Sequence, residues 1–492
     1  MLRWKLAAGL TVGLAVTLMA GCGKENNTTV KPIQRGALYT FVGDTPLPDV
    51  ISFPVTITSM KLRQEGTTNI VDVFPTTANP LSLKKLDFCA LRDFSTILDI
   101  STVPEVTYDQ VTLGMTGGQI IVYDPSKTPP VSKLTIKLST AAPVIPIQPS
   151  LAVTANKVQA LRLDFDVLRS IQVDSTGQVT GSVTPIFRAS PVIANDAEGF
   201  GKFDDLIGFV RSVQPYPTGS FTGAFSLQLL SGSGPAISVS FNSATKLYGV
   251  PALNLLETGR VAEVGATIDS NGNVVADTVE VEDRAVVEEN KVAMLGLVTS
   301  VTRDDAGSVT QFDLFVRQVE PVANLTTLVG SVVEVSVSPT TTLQCSSRPT
   351  NFLNPPLPFN ARAIAVGQEL IVNGQYTQVT DEPTTVAAST IFLKIQTQQG
   401  TLGSLAQVSQ DGRSGAFWFI PHATMLQGAP ILVMTSANTV YVNVLGLAEI
   451  TPQATLLVRG LPFYQTEATT LRGVVVPAGT LVVTARQVHQ LD

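Results

Sequence analysis

Few residues in this chain are of a type that does covalent or acid–base chemistry. There are two histidines, His422 and His489, and three cysteines, Cys22, Cys89 and Cys345. Two imidazoles in 492 residues leave little general-base capacity near neutral pH. No Cys or His spacing matches a zinc or haem motif. There is no Gly-x-Ser-x-Gly elbow and no Gly-rich phosphate loop. No catalytic residue and no cofactor is assigned. Paired carboxylates need no sequence proximity, so a carboxylate-type enzyme acting on polysaccharide stays open. Asp44, Asp164 and Asp166 are weak candidates for sharing a Ca²⁺, which takes carboxylate and carbonyl oxygens. Arg162 neutralising Asp164 on a solvated face is the preferred reading, and no metal is assigned. Asp269, Asn271, Gly272 and Asn273 resemble a calcium loop but lack its later Glu, so a hairpin turn is expected.

The elements that must position such groups begin with an export signal. Arg3 and Lys5 give a positive start, Leu6 to Ala20 an apolar run, and Ala20-Gly21 small residues directly before Cys22. The run is short for a membrane span. Leu18-Met19-Ala20-Gly21-Cys22 resembles the bacterial lipobox, with Met19 where that family usually has Leu. The resemblance implies lipidation of the Cys22 thiol, cleavage before it and acylation of the new amino group. Two or more acyl chains hold a protein stably on a membrane, as one does not. Residues 22–35 read as a polar tether. Gly23 replaces the Asp that retains enteric lipoproteins in the inner membrane, so the expected destination is the outer membrane.

Charged residues are 14% of the chain and mean hydropathy is +0.27, a balance that buries cores rather than one that stays disordered. The length implies several domains. Removing Arg3 and Lys5 with the signal leaves 30 basic against 39 acidic residues, near −9, which argues against a nucleic-acid partner. Without Cys22, Cys89 and Cys345 are too few and too distant for a disulfide scaffold and read as separate small hydrophobes.

From Gly36 onward, short runs of period two rich in β-branched residues, broken by Pro, Gly and Asn, predict an all-β chain. Leu161, Leu163, Phe165 and Val167 share one strand face, and Arg162, Asp164 and Asp166 the other. A short helix is expected near Leu81 to Leu98. Residues 36–190 form a first domain and 191–203 a linker. Two repeats follow, 204–284 and 291–396, opening at Gly208 with Val210 and Val213, and at Gly296 with Val298 and Val301. Gly259 and Gly265 bracket a later strand in the first copy, as Gly367 and Gly374 do in the second. A divergent third copy spans 397–492, opening at Gly400, with Pro452 and Gln453 where the first bracketing Gly should stand. Five short strands per copy suggest small closed OB-like barrels. Closure removes sheet edges that a weakly charged chain cannot protect.

The first domain resembles the bacterial lipoprotein module known as domain of unknown function 4382. The likeness lies at Gly43-Asp44-Thr45-Pro46, at Tyr108-Asp109-Gln110-Val111, and from Leu163-Asp164-Phe165-Asp166 to Pro185-Ile186-Phe187-Arg188. It implies a β-sandwich-like domain and no activity. The repeats resemble domain of unknown function 5666, another module of exported bacterial proteins.

The expected function is a non-enzymatic, lipid-anchored cell-envelope protein. Its β-domains would serve adhesion, glycan binding or assembly with an envelope protein, with a structural spacer as a further alternative. The first repeat carries four basic residues against nine acidic, which disfavours phosphate ligands even on a barrel type that can bind oligonucleotides. The Pro- and Phe-rich insertion from Cys345 to Arg362 reads as a mobile surface excursion.

Overall fold

The computed structural model describes residues 34–492 except 46–48, 76–83, 92–94, 177, 194–201, 215–220, 230–235, 251, 253–255, 270, 282–290, 320–327, 346–349, 378–383, 427–428 and 492. Cys22 and much of the expected 191–203 linker lie outside the described residues.

The first domain is built on a nine-stranded sheet in which Arg35–Thr45 pairs in parallel with Val158–Asp166 and antiparallel with Ser95–Pro104. Alternation decides its faces, because a strand turns successive side chains to opposite sides. Leu161, Leu163 and Phe165 are fully buried while Arg162 is exposed. Leu38 and Met60, from strands far apart in the sheet order, share one core, so the sheet curls over itself in a sandwich-like form. Phe165 centres that core, stacked on Phe53 at 5.5 Å and tilted against Phe88 and Phe187 at 4.6 Å.

The helix expected near Leu81 to Leu98 is not formed. Among the described residues the segment is a strand, Lys84–Asp87, one 3₁₀ turn, Phe88–Leu91, and the start of the strand Ser95–Pro104. Asp87 explains the turn. Its carboxylate accepts from the backbone of Phe53 (2.8 Å) and Cys89 (3.1 Å) and from the Ser52 hydroxyl (2.7 Å). Side chain–backbone bonds of this kind compete with helix. The three-and-four spacing of apolar residues was a strand–turn–strand seen in projection.

Three barrels follow. Their first to fifth strands are Lys202–Gln214, Gly223–Leu229, Ile237–Phe241, Val261–Ile268 and Val274–Val281; then Lys291–Arg303, Val309–Val319, Val332–Ser336, Glu369–Thr377 and Thr385–Leu393; then Gln396–Val408, Gly415–Pro421, Ile431–Thr435, Thr455–Gln465 and Thr480–Gln490. Each sheet runs third–second–first–fourth–fifth, and the third strand pairs in parallel with the fifth to close it. That is OB topology, in the divergent third copy as in the others. A short strand between the third and fourth lies parallel to the fifth in every barrel: Lys246–Tyr248, Thr342–Cys345 and Val440–Val442.

Register aligns the copies residue by residue. Gly208, Gly296 and Gly400 pair with Ala262, Leu370 and Leu456. A Cβ on any of the three would collide with a second-strand carbonyl oxygen, that of Gln228, Phe315 or Ile420. Close backbone approach therefore demands glycine there. A bulge follows at the same point each time, at Val210/Ser212, Val298/Ser300 and Leu402/Ser404. The expected match of Gly265 to Gly374 is displaced by one residue. A second bulge falls at Gly265/Ala266, Asn373/Gly374 and Arg459/Gly460, so Gly265 corresponds to Asn373 and to Arg459. Gln453 does replace the first bracketing glycine, and it keeps the same left-handed backbone: φ is +89° at Gly259, +87° at Gly367 and +62° at Gln453.

A threonine corner recurs before each short parallel strand. Thr245, Thr341 and Thr439 donate to the carbonyls of Ala276, Ala388 and Ala485 at 2.7, 2.8 and 2.9 Å. Each hydroxyl also accepts from the backbone N–H three residues earlier, of Asn242, Ser338 and Ser436, at 3.0, 2.9 and 2.9 Å.

The modules are cross-braced rather than strung in a line. Tyr39, Ile97 and Ala160 of the first domain join the core of the first barrel. Ile51 and Ile121 pack with Leu297 and Phe315 of the second barrel and Met425 of the third. Arg317 of the second barrel donates twice to the Ile51 carbonyl, at 3.1 and 2.7 Å, and pairs with Glu369. Lys394, in the two-residue step between second and third barrels, pairs with Glu263 of the first, their side chains 3% and 4% exposed.

Candidate functional site

The sequence-derived site residues do not form one site. Asp164 lies 3.9 Å from Arg162, and burial raises its pKa against the pull of Arg162 and Arg188. Asp166 caps the short helix Val167–Ser170, accepting from the Arg169 N–H at 2.9 Å, and pairs with the Arg169 side chain. The cap explains the choice of residue: an aspartate satisfies an otherwise orphaned helix-terminal donor. Asp44 lies beside Phe165 in the parallel register, and its side chain is outside the described set. Among the described residues no three His, Cys, Asp or Glu side chains converge to hold a metal ion.

The calcium-like loop is a hairpin. Asp269 accepts from the N–H groups of Asn271 and Asn273 at 2.9 and 2.8 Å. The same device recurs at Asp174 with Thr176 and Gln178, and at Asp304 with Ala306 and Ser308. The Asp269 hairpin docks on the first domain, where the Tyr39 hydroxyl donates to the Gly272 carbonyl at 2.5 Å. Burial, then the Asp269 charge, raises the Tyr39 pKa.

Two carboxylates do stand side by side: Glu263 and Glu280 are cross-strand partners in the first barrel. They are 3% and 2% exposed, and Glu263 is engaged by Lys394. A hydrolytic pair needs room between its acids for substrate or water, and this one is buried in an inter-barrel interface.

Among the described residues, recesses with polar lining open at two module junctions. The smaller, about 30 Å³, is lined by Asp49, Cys89, Arg317, Glu369, Gln396 and Gln398 and fits a water molecule. The larger is a cleft of about 240 Å³ between the second and third barrels. Val301, Ala365 and Val366 form one side and Met425, Leu426 and Ile431 the other. Arg303 and Tyr464 add the polar wall, with the Arg303 guanidinium 4.9 Å from the Tyr464 ring centroid. Arg303 donates to the carbonyls of Gly307 (2.9 Å), Arg362 (3.0 Å) and Ile364 (2.6 Å), and burial lowers its pKa. Sequence reasoning missed this cleft, because its lining comes from many separate segments of two barrels.

In the insertion from Cys345 to Arg362, the described residues 350–362 brace that junction and are packed rather than a free surface excursion. Leu353, Leu357 and Phe359 are buried, and the Asn351 side chain clamps the N–H and carbonyl of Leu357 at 3.1 and 2.9 Å. Arg472, in the third barrel's extra hairpin, sits 5.2 Å over Phe352, and Arg362 pairs with Glu467. Phe and Leu in a Pro-rich loop were the available signal, since such residues seek burial.

Fold and recesses together define an all-β protein of a curled first domain and three OB-like barrels. A sequence-family model described as Domain of unknown function (DUF4382) matches residues 35–181, placing the first domain in that family. No curated protein matches the chain. Among solved structures, one titled drosophila Unr CSD456 is 11% identical, covering 58% of this chain and 97% of its own, with a TM-score of 0.14. A likeness so low carries no argument about fold or ligand.

Proposed function

We propose that the chain is a non-enzymatic lipoprotein of the bacterial cell envelope, anchored through Cys22 and bound for the outer membrane. It presents a rigid β-assembly for binding at the envelope: adhesion, glycan capture or assembly with another envelope protein. The barrels on this reading belong to the kind that domain of unknown function 5666 describes. The observation that carries the proposal is the bracing: Arg317 of the second barrel donates to the Ile51 carbonyl of the first domain, and Lys394, between the second and third barrels, pairs with Glu263 of the first. A binding surface gains from such preorganisation, whereas a spacer needs only length. Among the described residues no helix is long and apolar enough to cross a membrane.

The test is mass spectrometry of the mature N-terminus, with fractionation of Cys22→Ser. A triacylated or diacylated Cys22, lost in the variant together with membrane association, is the expected result. An unmodified Cys22, or cleavage elsewhere, overturns the anchor. The binding role is tested by cross-linking the anchored chain in intact cells, which should recover a reproducible envelope protein or glycan; recovery of neither leaves the spacer.

A further inference from the structure

We propose that the cleft between the second and third barrels is a binding site for a small, flat apolar ring, of one or two fused rings. Size sets the first limit. An apolar cavity of about 150 Å³ suffices to admit benzene, and this cleft measures about 240 Å³. It has room for a single or fused bicyclic ring. Ala365, Met425, Ile431 and Leu481 are buried at its base and Val366 is partly buried, while Ala429, Pro430 and Gly479 form an exposed rim. A ligand can therefore enter from solvent and desolvate.

The polar wall sets the ligand's chemistry. Recognition of a carboxylate or phosphate uses the N–H fork of an arginine edge-on. The Arg303 fork is pinned to three backbone carbonyls. What Arg303 offers is its flat cationic face, which attracts aromatic π systems and already stacks on Tyr464. A sugar would need several convergent donors and acceptors, and among the described residues Arg303 and Tyr464 are the only polar side chains in the lining. An aromatic ring satisfies both the apolar base and the cationic wall. This inference stands apart from the anchor: an unmodified Cys22 would leave it untouched.

The test is photo-cross-linking of the purified full chain in solution, with or without detergent, with a diazirine-bearing indole, the sites being mapped by mass spectrometry. Adducts should concentrate at Met425, Leu426, Ala429, Pro430, Ile431, Tyr464 and Leu481 and be suppressed by excess indole. Ala429→Trp, which fills the mouth from an exposed position, should cut the yield about tenfold, equivalent to 1.4 kcal/mol. Tyr464→Leu should reduce it less, and an unchanged circular dichroism melt shows that each variant is folded. Adducts spread along the chain, or a yield unmoved by Ala429→Trp in the folded protein, overturn the site. Equal labelling of the cleft by a diazirine-bearing glucose overturns the ring as its ligand class.

Discussion

Replacing Thr439 with Val tests whether the threonine corners hold the barrels closed. The exchange keeps side-chain shape and removes one hydroxyl that does two things. It accepts from the Ser436 N–H at 2.9 Å and donates to the Ala485 carbonyl at 2.9 Å, in a residue 1% exposed. Val leaves a buried donor and a buried acceptor without that partner, and each such group costs about 1–3 kcal/mol. Partial relaxation brings the expected loss to about 2–3 kcal/mol. Trp418 lies in the same barrel and is the sole tryptophan besides Trp4, so its fluorescence reports this barrel in urea. The midpoint should fall with the slope unchanged, the signature of lost stability rather than altered compactness. The effect should be graded, Thr439→Val above Thr341→Val above Thr245→Val, following their burial. A shift below about 0.5 kcal/mol, or one no larger than at an exposed threonine, would refute the corner as a closing device.

Gln453→Gly should stabilise the third barrel by about 0.5–1 kcal/mol in the same assay, because a left-handed non-glycine residue costs more than glycine's extra unfolded freedom; a loss of stability would mean that the Gln453 side chain matters more than its backbone. Lys394→Met should destabilise by about 3–5 kcal/mol, and Lys394→Met with Glu263→Leu by much less, since an uncompensated buried charge is costlier than a missing pair; additive losses in the double-mutant cycle would show the pair to be uncoupled. Acid should loosen the hairpins at Asp174 and Asp411, whose carboxylates are held below the ordinary range, first by hydroxyl hydrogen bonds from Thr176 and from Ser409 and then by backbone N–H groups. A depressed folded pKa gives stability that is present above the unfolded value, about 3.9, and is lost as pH falls through the folded one. The protection of the Thr176 and Ser414 amides against hydrogen exchange, taken relative to the intrinsic rate at each pH, should therefore fall below about pH 3.9, and Asp411→Asn should flatten that response at Ser414; a flat profile in the unaltered chain would exclude the carboxylates.

The strands and the repeat were legible because both rest on local rules. Alternation at Leu161–Phe165 and glycines at Gly208 and Gly296 follow from pleat and close approach, which neighbours in sequence dictate. The third copy was harder for a definable reason: Gln453 has a side chain that argues against the left-handed backbone it adopts, and the surrounding sheet enforces it. The corner threonines stood at a fixed three-residue spacing from Asn242, Ser338 and Ser436 and were readable once the copies were aligned. The bracing was not readable. Glu263 and Lys394 are 131 residues apart, and nothing local marks either as buried. The cleft shares that opacity, since Arg303 and Tyr464 meet only when two barrels dock.

The bracing changes what the low charge content implies. An isolated string of barrels would expose every barrel flank, and a chain with 14% charged residues has little with which to protect them. Here several flanks are used up in interfaces: the first barrel against Tyr39 and Ile97, the second against Ile51, the third through Met425 against Ile51 and Phe315 and through Arg472 against Phe352 of the insertion. Apolar surface that would promote association between molecules is spent within one molecule. The same economy accounts for the buried ionic groups. An apolar interface is tolerant of sliding, whereas Lys394 and Arg317 each have one geometry that satisfies them, so charge pairs fix the register that hydrophobic contact leaves loose. A cleft shaped by two barrels keeps its dimensions only if that register is fixed. On this argument the Lys394–Glu263 pair, remote from the recess that Arg303 lines, is part of what makes the recess a defined site.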